Sequence, residues 1–129
     1  MQDNYVRTAR VDLSQYFDGD TFDCYLDLGC NVTKRERVRL AGINTPEMYG
    51  ELRLKGLAAK VRLAEILKAA SHVSVATSKA MPFSHRPSYD GFGRYLATVF
   101  ADGVNVNQVL LDEGLATTYV SAKLKGVAV

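Results

Sequence analysis

Apolar and polar residues alternate along the first part of the chain, which is the pattern of a β-strand with one buried face. In residues 22–28 the two faces are Phe22, Cys24, Leu26 and Leu28 against Asp23, Tyr25 and Asp27. Turn-forming residues follow at 29–34, a returning strand is predicted over 37–43, and a weaker strand precedes both at 5–13. In the returning strand, Val38 and Leu40 face away from Arg37 and Arg39. The pattern predicts an antiparallel meander.

The period of the pattern changes at residues 51–70, where apolar residues recur at helical spacing. This predicts one helix whose core-facing stripe is Leu54, Leu57, Val61 and Ala64, widened by Leu63, Ile66 and Leu67. Gly56 is an alternative starting point, because glycine is a poor helix former.

The remaining segments are a short strand at 73–77, a loop rich in glycine and proline at 81–93, and a strand at 95–100. A turn at 101–103 leads to a helix over 105–113, which Gly114 ends. This order predicts an α+β, mainly β fold: a five-stranded Greek-key barrel of the OB type with two or three flanking helices. At 129 residues, the chain is expected to form a single domain over residues 1–129.

Composition narrows the function only slightly. The formal net charge is +2, so an electrostatic argument for nucleic-acid binding must rest on clustered charges. The two cysteines, Cys24 and Cys30, predict buried reduced thiols, with a local disulfide as the alternative. No apolar segment predicts a signal core or a membrane span, so the expected location is the cytoplasm, or outside the cell if a leader has been removed.

Several polar residues have an ordinary structural explanation when each is taken alone. Asp18-Gly19-Asp20-Thr21 is a turn sequence, Arg39 is a strand arginine with its head in solvent, and Thr45-Pro46 ends a strand. Taken together, arginines, carboxylates, an amide and a backbone carbonyl form the set needed for attack on a phosphodiester. The guanidinium fork suits phosphate oxygens, and a carboxylate positions or deprotonates water.

Three segments in this order make the hypothesis more specific: DGDT at 18–21, RLAGINTPE at 39–47 and GFGRYLATVFADGVNVNQVLLDEGLA at 91–116. The sequence resembles the staphylococcal-nuclease-like (thermonuclease) family over about residues 18–119. The resemblance implies an OB barrel and a Ca²⁺-dependent nuclease, with Mg²⁺ or Mn²⁺ tolerated. DNA and RNA are both expected substrates, single strands preferably, and the domain is shortened at its C-terminus relative to the type member.

The resemblance also implies which residues would act. Asp20, Asn44 and the backbone carbonyl of Thr45 would ligate the metal. Asn44 is a departure, because the family has an aspartate there, and the lost charge predicts weaker Ca²⁺ binding. Glu47 would act on the attacking water as general base or as its positioner.

Arg39 and Arg94 would hold the phosphate and stabilise the five-coordinate state. Five further residues are expected to contact nucleic acid: Phe92, Tyr119, Tyr49, Lys55 and Arg86. Phe92 is a second departure, because many family members have a lysine–tyrosine pair at positions 91–92. Phe92 is expected to stack on a base instead. The alternative function is a non-catalytic OB-fold module that binds nucleic acid, but such a module has no need of Glu47 beside the arginines.

Overall fold

The computed structural model describes residues 4–78 and 95–118. A single 3₁₀ turn, Gly50–Leu52, precedes the first helix. Neither described helix combines the length and the apolarity that crossing a bilayer requires. The strands and helices are β1 Asn4–Asp18, β2 Thr21–Gly29, β3 Val32–Leu40, β4 Ile43–Asn44, α1 Arg53–Ala69, β5 Val73–Ser78, β6 Tyr95–Ala101, β7 Val104–Asn105, α2 Val106–Asp112 and β8 Thr117–Thr118.

Five strands close into a mixed barrel. β1 pairs antiparallel with β2 and β5, β2 with β3, and β5 with β6. The parallel pairing of β3 with β6, from Val38↔Tyr95 to Leu40↔Ala97, closes the cylinder. β4 and β8 form a separate two-stranded ribbon. The predicted α+β, mainly β barrel of five strands is therefore confirmed, with two α-helices in the described residues.

Several boundaries differ from the sequence prediction; β1, for example, extends to Asp18 rather than ending at residue 13. The turn between β2 and β3 is shorter than predicted, because Cys30 and Asn31 have φ angles of 54° and 63° and reverse the chain in two residues. The predicted strand 37–43 is broken after Leu40 by a turn in which Gly42 has φ of 77°. Ile43 and Asn44, after this turn, pair with β8 rather than with a strand of the barrel.

The barrel interior contains the inward residues of the alternating pattern. Phe22, Cys24 and Leu26 are buried as predicted, whereas Leu28 is 41% exposed at the end of the hairpin. Both cysteines are free thiols, and burial raises the pKa of Cys24 to about 12. Cys30 is exposed in the tight turn, so its predicted burial is wrong.

The helix α1 buries only part of the predicted stripe. Leu54, Leu57 and Val61 are 74%, 40% and 49% exposed. The buried side consists of Gly56, Ala59, Leu63 and Leu67, so the predicted burial of Leu63 and Leu67 is confirmed. The prediction is wrong for Leu54, Leu57 and Val61 because apolar residues surround this helix, and its end nearest the site at residues 46–47 packs closely through the small residues Gly56 and Ala59.

Candidate functional site

The site begins with Arg39 at the end of β3. Arg39 and Arg37 share the face opposite Val38, as the alternation predicted, but Arg39 is only 7% exposed. Its Nη2 donates to Asn44 Oδ1 at 3.1 Å and lies 3.5 Å from Asp20 Oδ2. The ordinary interpretation of Arg39 as a solvated strand residue is therefore wrong, because the turn after β3 folds back over its head.

Asp20 is the buried acid of this cluster. It immediately precedes β2 beside the end of β3, where Thr21 pairs with Arg39. Its Oδ2 accepts the Thr45 N–H at 3.2 Å, and its Oδ1 accepts the Thr21 hydroxyl at 3.0 Å. Burial acts to raise the pKa of Asp20, but hydrogen bonds with Asp18 and Thr45 and the charge of Arg39 outweigh it, so the pKa is lowered. The carboxylate is thus ionised at neutral pH.

The turn before Asp20 is also ordered by hydrogen bonds. The N–H of Asp20 donates to Asp18 Oδ1 at 3.0 Å, which is the local bond that an aspartate makes in a tight turn. The carbonyl of Asp20 accepts the N–H of Leu40 at 2.8 Å. These two bonds fix the acid against the end of β3.

Residues 41–47 form a segment, here called the site turn, that carries three of the predicted site residues. Its first residue, Ala41, donates its N–H to the carbonyl of Ala97 at 2.8 Å. The buried amide of Asn107 donates to the carbonyls of both Ala41 and Ala97, at 2.9 and 3.1 Å, and accepts the N–H of Val99 at 3.0 Å. A helix side chain therefore clamps the start of the site turn to β6.

The middle of the site turn is held from another direction. Ile43 and Asn44 pair with Thr118 and Thr117 in the β4–β8 ribbon. The hydroxyl of Thr117 donates to the carbonyl of Asn44 at 3.4 Å. Asn44 is exposed on the turn, whereas Thr45 is buried. The backbone of Asn44 is thus fixed while its side chain contacts Arg39.

Glu47 lies at the end of the site turn and is exposed. The backbone of Pro46 and Glu47 packs directly on Gly56 in α1. Tyr49 and Lys55 follow nearby in the chain and are also exposed, Tyr49 by 68%. The remaining predicted site residues lie outside the described residues: Arg86, Phe92, Arg94 and Tyr119.

A network of ion pairs continues from Arg39 along the same face of the sheet. Asp23 is 3% exposed and accepts from Arg37 Nε at 2.8 Å and from Arg35 Nη2 at 2.7 Å. Arg35 also donates to Asp12 Oδ2 at 2.6 Å, and its guanidinium lies 5.3 Å from the Tyr25 ring centre. Arg35 and Arg37 thus pair with Asp12 of β1 and Asp23 of β2, whereas Arg39 faces the site turn.

The oxygen atoms gathered here suit a hard divalent cation. Asp20 supplies a carboxylate and Asn44 an amide oxygen, and an oxygen of each lies within 3.5 Å of the same Arg39 nitrogen. Such oxygen ligands are those that Ca²⁺ prefers. In residues 4–78 and 95–118, no group of three or more His, Cys, Asp or Glu side chains that could hold a metal is found. The donor set thus combines one buried carboxylate with neutral oxygens.

Three residues form hydrogen bonds in the site that the sequence patterns did not predict. Thr21 belongs to the recognised DGDT segment, yet its hydroxyl was not expected to bond Asp20. Asn107 gives one signal, an amide within an apolar helix, but its partners are distant in the chain. Thr117 follows the last helix without a distinguishing pattern.

Together, the fold and the site define a small closed β-barrel with a buried arginine and an ionised acid at one end, an arrangement suited to binding phosphate. The sequence matches the family model described as staphylococcal nuclease homologue over residues 37–126. The chain therefore belongs to the staphylococcal nuclease homologue family. A comparison with curated proteins gives no significant match.

Proposed function

We propose that this protein is a metal-dependent nuclease that hydrolyses phosphodiester bonds in DNA, RNA or both, and that residues 1–129 act as one domain. The observation that carries the proposal is the burial of Arg39, near the end of β3, between Asp20 and Asn44, beside the turn that leads to Glu47. A buried guanidinium with an adjacent acid is a preorganised donor for a phosphate oxygen, because it needs little reorganisation when the substrate binds. Membership of the nuclease family supports the same function.

In the proposed site, Asp20, Asn44 and the Thr45 carbonyl hold Ca²⁺, with Mg²⁺ or Mn²⁺ as tolerated substitutes. A bound cation would neutralise the negative charge that develops on the phosphate oxygens. The oxygen-only donor set at Asp20 and Asn44 fits this role. The lone buried carboxylate predicts modest affinity for the metal, because Ca²⁺ affinity follows the charge of its ligands.

The proposed reaction is in-line displacement at phosphorus by water. Glu47 accepts a proton from the attacking water, for which its exposed position at the end of the site turn leaves room. Arg39 and Arg94 bind the non-bridging oxygens, and Arg94 assists the departing 5′ oxygen. A P–O bond forms to water as the P–O bond to the leaving group breaks.

We assign the neighbouring exposed residues to substrate binding. Tyr49 and Lys55 both follow the site turn in the chain and present an aromatic ring and a positive charge. Phe92, Arg86 and Tyr119 complete the proposed contacts with bases and phosphates. Aromatic stacking and lysine or arginine contacts together favour single strands, whose bases are accessible.

The second candidate is a nucleic-acid-binding module without catalysis. The contact of Arg39 with Asp20 and Asn44 fits this candidate equally well, because a guanidinium held in this way also stabilises a barrel end without catalysis. In that case binding would survive EDTA and would fall steeply with salt, while no product would accumulate.

The discriminating experiment is a time course on labelled single-stranded DNA and RNA with Ca²⁺, Mg²⁺, Mn²⁺ or EDTA. We expect cleavage with a divalent cation and none with EDTA. Binding without cleavage under every metal condition would contradict the nuclease function and select the binding module.

We predict that Glu47→Gln lowers kcat about a hundredfold or more, since removal of a general base has effects of this size. The matched control is Glu51→Gln, which makes the same change at an exposed acid in the 3₁₀ turn and should leave kcat unchanged. Wild-type turnover by Glu47→Gln at saturating Ca²⁺ would exclude Glu47 as the base.

Arg94→Ala should reduce kcat by a similar factor, because it removes a positive charge that stabilises the transition state. The same assay on single-stranded DNA at saturating Ca²⁺ measures it, and a wild-type rate would contradict the role of Arg94.

A further inference from the structure

The site turn and α1 touch at a glycine. Gly56 is buried within α1, and a Cβ atom at this position would lie 2.4 Å from the carbonyl oxygen of Glu47 and 2.7 Å from that of Pro46. An ordinary contact of a Cβ atom is 3.4–4 Å. Because both oxygens belong to the backbone, no side-chain rotation relieves the overlap. The site turn can occupy its position only because residue 56 has no side chain.

A second close contact lies one helical turn further along α1. A Cβ atom on Gly19 would lie 2.7 Å from Thr45 Oγ1 and 2.8 Å from the Cβ of Ala59. Gly19 immediately precedes Asp20, and Thr45 donates its N–H to that acid. The small residues at 19, 56 and 59 therefore bring three segments together: the turn before β2, the site turn and the buried side of α1.

These contacts concern the residues that the proposed reaction uses. The backbone atoms against Gly56 belong to Glu47 itself and to Pro46, which joins Glu47 to Thr45. Glycine is a poor helix former and Gly56 lies inside α1, so the helix loses stability at this position relative to alanine. Close approach to the turn gives a physical reason for glycine at this position.

We propose that Gly56 is a positioning residue: by letting α1 contact the Pro46–Glu47 backbone, it sets where the Glu47 carboxylate and the Thr45 carbonyl stand relative to Asp20. Gly19 supports the same turn from the Asp20 side. The inference rests on the proposed nuclease function, but it concerns a residue on a helix that contacts neither water nor substrate in that reaction.

The test is Gly56→Ala, measured for turnover and for metal binding. Its Cβ requires the turn to move by about 1 Å, and a misplacement of that size costs on the order of a hundredfold in rate. We expect kcat on single-stranded DNA to fall about a hundredfold with KM within about twofold, since the substrate-binding side chains stay in place. Calorimetry without substrate should show weaker Ca²⁺ binding, because the Thr45 carbonyl moves with the turn.

The matched control is Ala58→Ser, which also adds one heavy atom to α1 but at an exposed position. It should keep wild-type kcat and Ca²⁺ affinity. Circular dichroism establishes that each variant is folded. If Gly56→Ala does not fold, the same two measurements on Gly19→Ala decide the question, with partial recovery expected in Gly19→Ala/Ala59→Gly because the contact with the Ala59 Cβ is removed.

The outcomes separate this inference from the proposed function. An active wild type together with a folded Gly56→Ala of unchanged kcat and Ca²⁺ affinity overturns the positioning role alone. A wild type that binds Ca²⁺ but does not cleave overturns the nuclease function, and the calorimetric comparison then still tests whether Gly56 positions the metal ligands. A wild type that neither cleaves nor binds Ca²⁺ overturns both.

Discussion

Asn44 places a neutral oxygen where it touches the buried arginine. Its Oδ1 accepts a hydrogen bond from Arg39 Nη2 at 3.1 Å. One side chain thus connects the proposed metal ligands with an arginine that is proposed to bind phosphate. Asp20 lies 3.5 Å from the same nitrogen and is the one charged residue among the three proposed metal ligands. If Asn44 is a metal ligand as proposed, the charge at position 44 sets how strongly the cation is held.

We predict that Asn44→Asp tightens Ca²⁺ binding about tenfold, or by about 1.4 kcal/mol, because it adds a negative ligand. Calorimetric titration of the two proteins measures the change. Asn105→Asp is the control, since it adds the same charge at the N-cap of α2, where aspartate also caps a helix. Equal affinities of wild type and Asn44→Asp would show that residue 44 is not a ligand.

The stability of the fold in acid should depend on Asp12. Hydrogen bonds from Ser14 and Arg35 and the charge of Arg35 lower the pKa of Asp12 to about 2. A carboxyl group with a lowered pKa stabilises the fold above its unfolded value near 3.8, and this contribution is lost as the pH falls toward 2. Asp12→Asn should therefore lose less stability than wild type between pH 4 and pH 2, as followed by thermal unfolding. An identical acid dependence in both proteins would contradict this.

The helix α1 has apolar residues on two sides, and the side it buries is the one that contains the small residues Gly56 and Ala59. The side against the barrel has Leu63 and Leu67 at one end and the small residues Gly56 and Ala59 near the site turn. Leu54 and Leu57 follow helical spacing equally well but are exposed. Periodicity shows that such a segment is a helix, but when apolar residues lie all round, packing decides which side is buried.

Identical leucine substitutions on the two sides of α1 test this orientation. Leu63→Ala should lower the free energy of unfolding by roughly 2–5 kcal/mol, because it opens a cavity at a fully buried position. Leu54→Ala should change the same quantity by no more than about 0.5 kcal/mol, because Leu54 is 74% exposed. Chemical denaturation measures both, and equal effects would show that the orientation of α1 is wrong.

At the scale of the whole molecule, closure of the barrel also builds the site. The parallel contact of β3 with β6 brings Ala41 beside Ala97, and Asn107 from α2 bonds both carbonyls. The bidentate pair of Arg62 with Glu113, at 2.8 Å for each contact, connects α1 to the end of α2 on the surface. Of these contacts, the buried amide of Asn107 should matter more, since leaving buried backbone groups without a partner costs more than losing a solvent-screened ion pair.

We predict that Asn107→Leu lowers the free energy of unfolding by roughly 2–4 kcal/mol, because the Val99 N–H and the Ala41 carbonyl lose a buried partner. The control is Gln108→Leu, the neighbouring amide on the exposed side of α2, with an expected change of no more than about 0.5 kcal/mol. Denaturant unfolding distinguishes them. Equal stability of Asn107→Leu and wild type would mean that the clamp is dispensable.

Much of the local structure of this protein can be inferred from residue patterns along the chain. Alternation identified β2 with Phe22 and Cys24 facing inward, and helical spacing identified α1 and α2, because these patterns depend on neighbours in the chain. Recognisable segments identified the family and the candidate residues Asp20, Arg39 and Asn44, since they occur as short continuous motifs.

The tertiary structure decided everything that depends on distance across the chain. It buried Arg39 beneath its own turn, chose the Leu63 side of α1, and brought Asn107 to Ala41. It also set Gly56 against Glu47, a contact that hydrophobic periodicity does not report. The physical reason is that burial and close packing depend on which surfaces meet when the barrel closes, and the spacing of residues along one segment carries no information about the segment that packs against it.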